Sequence, residues 1–187
     1  MLEYRGASNM QAGAGLDAKA GAAMGVSVGT HYLVECFDKD GNLKWADEFN
    51  NLVVTTGLNW LLDKTFKGSG WTAAHYVGLT AGSPTFAAGN TMASHAGWTE
   101  EQTYSEANRQ TLTLGTVSAG SVNNSASKAV FSINGTATVG GAFVCDNNTK
   151  GGSTGTLYGG GAFSEGNRSV VNGDTLNVTI TLSVTAS

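Results

Sequence analysis

The sequence predicts an all-β protein: a jelly-roll-like β-sandwich with one short helix and an extended N-terminal arm. Three features lead there. In TLNVTITLSVTA (175–186), Leu176, Val178, Ile180, Leu182 and Val184 alternate strictly with Asn177, Thr179, Thr181 and Ser183, which gives a strand one buried and one wet face. The last third consists of short runs of this kind, broken about every 8–15 residues by Gly, Asn and Ser turns, as in sandwiches and barrels. Only one stretch, NNLVVTTGLNWLLDK (50–64), changes from a β-branched run to helical spacing.

The elements follow in chain order. Residues 1–29 are rich in Gly and Ala, hold no sustained period and carry only Glu3, Arg5, Asp17 and Lys19 as charges. They read as an arm that becomes ordered when something binds it, with the globular domain spanning 30–187. HYLVECF (31–37) and LKWADEF (43–49) read as strands joined by DKDGN, whose Asp40-Gly41 is a hairpin signal. Leu58, Leu61, Leu62 and Phe66 then fall on one helical face, with Thr56 placed to cap the N-terminus. A helix over 56–66 is expected to close an open end of the sandwich with those four side chains. AAHYVGLT (73–80) reads as a strand and AGSPTFAAGNTMASHAG (81–97) as a long loop. Strands are expected at 98–104, 109–118, 128–135, 137–146, 155–164, 168–174 and 175–186. Val178, Ile180, Leu182, Phe131, Ile133 and Phe143 are the expected core.

Several short matches to chemical motifs have simpler readings. GGSTG (151–155) fits the nucleophile-elbow pattern, but no helix follows Ser153 to strain it outward. SASK (125–128) places Ser125 and Lys128 at a strand start, without the helical turn that would bring them together. DKDGN resembles the start of a calcium loop but lacks the distal Glu. His31, His75 and His95 stand in no metal-ligand spacing. Trp45, Trp60, Trp71 and Trp98 could stack on sugar rings, although such residues more often anchor cores and interfaces. Cys36 and Cys145 are expected to be reduced, buried thiols. No catalytic residue, cofactor or metal is expected.

Composition narrows the partners. Charged residues make up 13% of the chain, about half the usual share, and the formal net charge is −4. Lys and Arg are scattered singly, so the counterion release that drives nucleic-acid binding has no basic patch to act through. No run is long and apolar enough for a membrane span, and MLEYRGASNM leads into no apolar segment of the signal-peptide kind. A surface built from Thr, Ser, Asn and Gly suits a protein packed against other copies.

Five pieces carry a family resemblance: WADEFNNLVVTTGLNWLLDK (45–64), AAHYVGL (73–79), NTMASHAGWTE (90–100), NSASKAVFSINGTATVGGAF (124–143) and GDTLNVTITLS (173–183). The chain resembles small virion proteins of short-tailed bacteriophages over about three quarters of its length, and within them the capsid decoration, or cement, proteins. The resemblance implies a jelly-roll protein on the outer surface of the capsid in the virion, bound to the major capsid protein and bridging its subunits. It implies self-association, a dimer ahead of a trimer, with no nucleic acid or membrane as partner. Tyr4, Arg5, Met10, Leu16 and Met24 of the arm are the expected interface residues. A tail, adaptor or fibre component touching host saccharide is the alternative.

Overall fold

The computed structural model describes residues 26–186; the expected interface residues Tyr4, Arg5, Met10, Leu16 and Met24 lie outside them. The described residues form a sandwich of two antiparallel sheets. The first has the order β2-β1-β12-β7, with β8 also pairing β12; it comprises β1 (Val26–Phe37), β2 (Leu43–Asn50), β7 (Ser121–Asn123), β8 (Ala129–Ser132) and β12 (Thr175–Ala186). The second runs β3-β10-β9-β4-β5, with β11 on β9 and β6 on β4. Its strands are β3 (Leu52–Val53), β4 (Tyr76–Ala81), β5 (Glu100–Glu101), β6 (Gln110–Thr111), β9 (Ala137–Cys145), β10 (Leu157–Ala162) and β11 (Arg168–Val170). One helix, α1 (Thr55–Thr65), lies between β3 and β4.

The longest pairing joins the two ends of the described chain. β1 and β12 run antiparallel with Tyr32 opposite Ile180, Val34 opposite Val178 and Cys36 opposite Leu176, all six fully buried. Period-2 alternation puts these side chains on one face, where burying each large aliphatic contributes about 1.5–3 kcal/mol. Phe131, Ile133 and Phe143 are buried as expected. The hairpin from β1 to β2 closes as DKDGN predicts: the Asp38 carboxylate accepts from the backbone N–H of Asp40 and Asn42 at 2.9 Å each, and Gly41 takes φ +83°. Only glycine adopts that φ without strain.

β1 begins at Val26, so the first strand takes in the last four residues of the segment read as arm. Toward that end burial falls off along both strands. Along the core face of β1 burial falls from Tyr32 and Thr30, both buried, through half-buried Val28 to Val26, which is 70% exposed. β12 fades in step, from buried Ile180 through half-buried Leu182 to exposed Val184. Leu182, expected in the core, therefore sits at its rim.

The helix departs from expectation in three ways. It spans 55–65, its N-cap is Val54 with no side-chain hydrogen bond, and the Thr56 hydroxyl donates instead to the Leu157 carbonyl at 2.8 Å. The inward residue is Gly57, so close to β10 that a methyl there would overlap the Tyr158 carbonyl oxygen. That approach rotates the apolar stripe away from the core. Leu61 is half-buried, but Leu58, Leu62 and Phe66 are 41%, 54% and 81% exposed, so three of the four side chains expected to form a lid face outward. Several expected strands also shrink to short pairings, with 98–104 and 109–118 reduced to β5 and β6 and the rest irregular.

Candidate functional site

The most tightly built polar cluster gathers around Arg109, a residue that no motif singled out. It precedes β6, is 2% exposed, and lies against the Phe143 ring. Its guanidinium grips Glu100 of β5 bidentately, Nε to Oε1 at 2.9 Å and Nη2 to Oε2 at 2.7 Å. It also donates to the carbonyls of Asn147 and Gly152 at 2.9 and 2.7 Å, both in the loop between β9 and β10. The Gly151 N–H adds a further bond to Glu100 Oε2 at 2.9 Å. Arg109 thus ties the loop between β9 and β10, at two points, to Glu100 of β5 at the sheet edge. Planar, five-donor geometry suits a guanidinium to that task. The Cys145 thiol sits beside it, and burial raises its pKa.

A cleft of about 200 Å³ opens next to this cluster and is lined by Met92, His95, Trp98, Glu100, Gln102 and Ser153, among others. It brings Ser153 and His95, two residues weighed from sequence, to the same depression. The neighbours of His95 hold it to another duty. The His95 ring stacks on Trp98 with centroids 3.8 Å apart and its Nδ1 lies 2.9 Å from the Trp98 carbonyl, while Glu100 is occupied by Arg109. Ser125 and Lys128 are not brought together: the serine hydroxyl donates to Asn123 at 2.7 Å and the lysine to Glu35 at 2.6 Å. His31 lies 3.4 Å from Glu48 on the surface. Among the described residues no three His, Cys, Asp or Glu side chains gather as metal ligands. Cys36 and Cys145 are both free and buried, and burial pushes the Cys36 thiol up to about 12.

Two further surfaces stand out. Trp60 and Trp71 meet edge to face at 4.8 Å, with His75 against both, and border a cleft of about 260 Å³ that also holds Lys64 and Asp146. Burial lowers the His75 pKa. The other surface is an apolar groove of about 320 Å³ where burial along β1 and β12 falls off, lined by Val28, Leu61, Val117, Val122, Tyr158, Leu182 and Val184. Among the described residues no charged side chain lines it. Leu61 brings α1 to this groove, and Leu58, Leu62 and Phe66 of the same helix add exposed apolar surface, the kind that marks an interaction site.

No protein-family model matches the chain, and no curated protein matches it.

Proposed function

We propose that this protein is a bacteriophage capsid decoration, or cement, protein: a jelly-roll-like sandwich that binds the major capsid protein on the outside of the shell and bridges its subunits. The observation that carries the reading is the apolar stripe Leu58, Leu62 and Phe66, held outside the core on a helix anchored to β10 through Gly57. Leaving such side chains in water stabilises nothing in the isolated chain. Against a partner, burying each contributes about 1.5–3 kcal/mol before the costs of association. The sparse charge of the chain and the family resemblance of its sequence blocks support the same reading. A shell multiplies weak contacts, because each further contact made by an anchored protein forms at high effective concentration.

The test is co-sedimentation of the full chain with expanded shells stripped of it. Wild type should pellet with shells and protect them against heat. Leu62→Asp and Phe66→Asp, both at exposed positions, should keep the native circular dichroism and bind at least about tenfold more weakly. Failure of wild type to bind shells overturns the proposal. A tail or fibre component touching host saccharide is the second reading, favoured by the cleft where Trp71, 48% exposed, stands beside Lys64 and Asp146. In that case the Trp71→Ala variant loses glycan binding and the α1 variants lose nothing.

A further inference from the structure

One exposed indole is the shared wall of two clefts. Trp71 stands 48% exposed in the loop between α1 and β4. The cleft of about 260 Å³ beside it is lined by Trp60, Lys64, Trp71, Thr72, Asp146 and Thr156, among others. A second cleft, of about 360 Å³, is lined by Trp71, His75, Leu112 and Leu114, among others. Trp71 and Ala74 line both, so the two adjoin at the indole. Concave, largely apolar walls with a few polar groups are the usual make-up of a small-molecule site.

The indole is held in place without being buried. Trp60 of α1 meets it edge to face at 4.8 Å, and His75, just before β4, meets it at 5.8 Å. The loop that carries it is pinned back to the helix, where the Asp63 carboxylate accepts from the Ser69 hydroxyl at 2.9 Å and from Lys67 at 3.0 Å. A surface fixed in advance loses little entropy when a ligand docks. The polar groups of the first cleft are fixed as well. Asp146 Oδ1 accepts from the Thr156 N–H at 2.6 Å, while its Oδ2 has no hydrogen-bond partner among the described residues. Lys64 Nζ lies 3.2 Å from Asp63 Oδ2, so its charge is already countered.

We infer that the double cleft binds a neutral oligosaccharide, stacked on Trp71 and held at its rim by Asp146 and Lys64. A pyranose ring presents C–H groups on its faces and hydroxyls around its edge. The first suit the face of an indole, which offers a large apolar surface with a negative π cloud. The second suit a carboxylate oxygen that still lacks a donor and an ammonium group beside it, through charge-assisted hydrogen bonds. The charges select against other ligands. An acidic sugar would bring a second anion to Asp146, and the nearest cation, Lys64, is shared with Asp63. An organic ammonium needs open aromatic faces and a net negative site. Here Trp60 and Trp71 touch each other, and Lys64 stands in the same cleft. The inference deepens the saccharide contact of the second reading and rests on it for the ligand class, but it requires no place on the tail. Leu58, Leu62 and Phe66 line neither cleft, so a chain bound to a shell through them keeps this site separate.

The test is a panel of tetrasaccharides offered to the free full-length protein: neutral gluco-, galacto- and manno-configured chains, uronic acid and sialylated chains, and choline chloride as the cation. Binding is read by saturation-transfer NMR and by the shift of tryptophan emission. At least one neutral chain should bind and shift the emission, and the acidic chains and choline should not bind. Trp71→Ala should weaken that binding about tenfold or more. Asp146→Asn keeps an oxygen for the Thr156 N–H but turns the free acceptor into a donor; it should keep the native circular dichroism and also lose about tenfold. It decides the matter should Trp71→Ala fail to fold. Phe66→Asp, on the exposed stripe of α1, should bind as wild type does. Three results overturn the inference: no neutral chain binds, an acidic chain or choline binds instead, or both cleft variants bind within about twofold of wild type. If no neutral chain binds and Trp71→Ala no longer sediments with shells, the indole meets capsid protein, and the inference falls with it. The oligosaccharide arms use free protein, so their outcome is separate from shell binding, and a chain found on the head that binds a neutral oligosaccharide refutes the tail placement but not the site.

Discussion

Replacing Arg109 by Met keeps a long, flexible side chain in the same slot and removes every one of its hydrogen bonds. Three acceptors then lose their guanidinium donor: the Glu100 carboxylate, whose side chain is only 7% exposed and which keeps the Gly151 N–H alone, the carbonyl of Asn147, left with the Cys145 thiol, and the carbonyl of Gly152. Removing one partner of a buried pair costs about 3–5 kcal/mol, because the other charge is left without compensation. The two carbonyls regain water only if the loop between β9 and β10 lifts away from the sheet. For a domain of this size each kcal/mol corresponds to about 2–4 °C, so Tm should fall by about 6–20 °C. Urea unfolding followed by tryptophan fluorescence measures the loss as a lower midpoint. Arg109→Lys, which keeps the charge but not the fork, should fall between. Glu100→Gln in the Arg109→Met background removes the stranded charge and should restore about 1–3 kcal/mol relative to additivity. If Arg109→Met unfolds within about 1 kcal/mol of wild type, the cluster is solvated and the reasoning fails.

Other consequences follow from single residues. His75 is held neutral by burial, so its folded pKa lies below the ordinary 6.5 or so and the unfolded chain takes up the proton first; stability should be full above that pH and fall as pH drops through it, and His75→Gln should flatten this part of the profile. Ellman's reagent should find no reactive thiol in native protein and both Cys36 and Cys145 after denaturation, since each is buried with its pKa raised. Gly57→Ala gains up to about 1 kcal/mol of helix propensity but drives a methyl into the Tyr158 carbonyl; the overlap wins, and Tm should fall by the equivalent of about 1–3 kcal/mol of overpacking less that gain.

The parts of the fold that could be read from sequence are those where one strand carries its own evidence. β12 alternates over its whole length, and its buried face, from Leu176 to Ile180, lies where the alternation puts it. The β1–β2 hairpin is likewise local, since Asp38 and Gly41 make the turn within DKDGN. The helix shows where local reading stops. Its period was legible, yet the side that packs is chosen by Gly57, the residue with no side chain, because close backbone approach to β10 outweighs the burial of Leu58 and Leu62. β5, β6 and β7 are pairings of two or three residues, too short to leave a pattern. The Arg109 cluster was invisible for a different reason. Its partners stand at 100, 147 and 152, on segments that only the second sheet brings together. A lone arginine among scattered charges offers no spacing to read. The start of β1 at Val26 lies inside the Gly- and Ala-rich segment, where Ser27 and Gly29 between Val26 and Val28 make too short an alternation to mark a strand.

Cryo-electron microscopy of the virion tests the central claim most directly. The account predicts sandwich-shaped density at regular positions on the outside of the head, straddling neighbouring capsid subunits, with α1 and its Leu58, Leu62 and Phe66 turned toward the shell. Density for this chain at the tail, or α1 turned to solvent on the head, would contradict it.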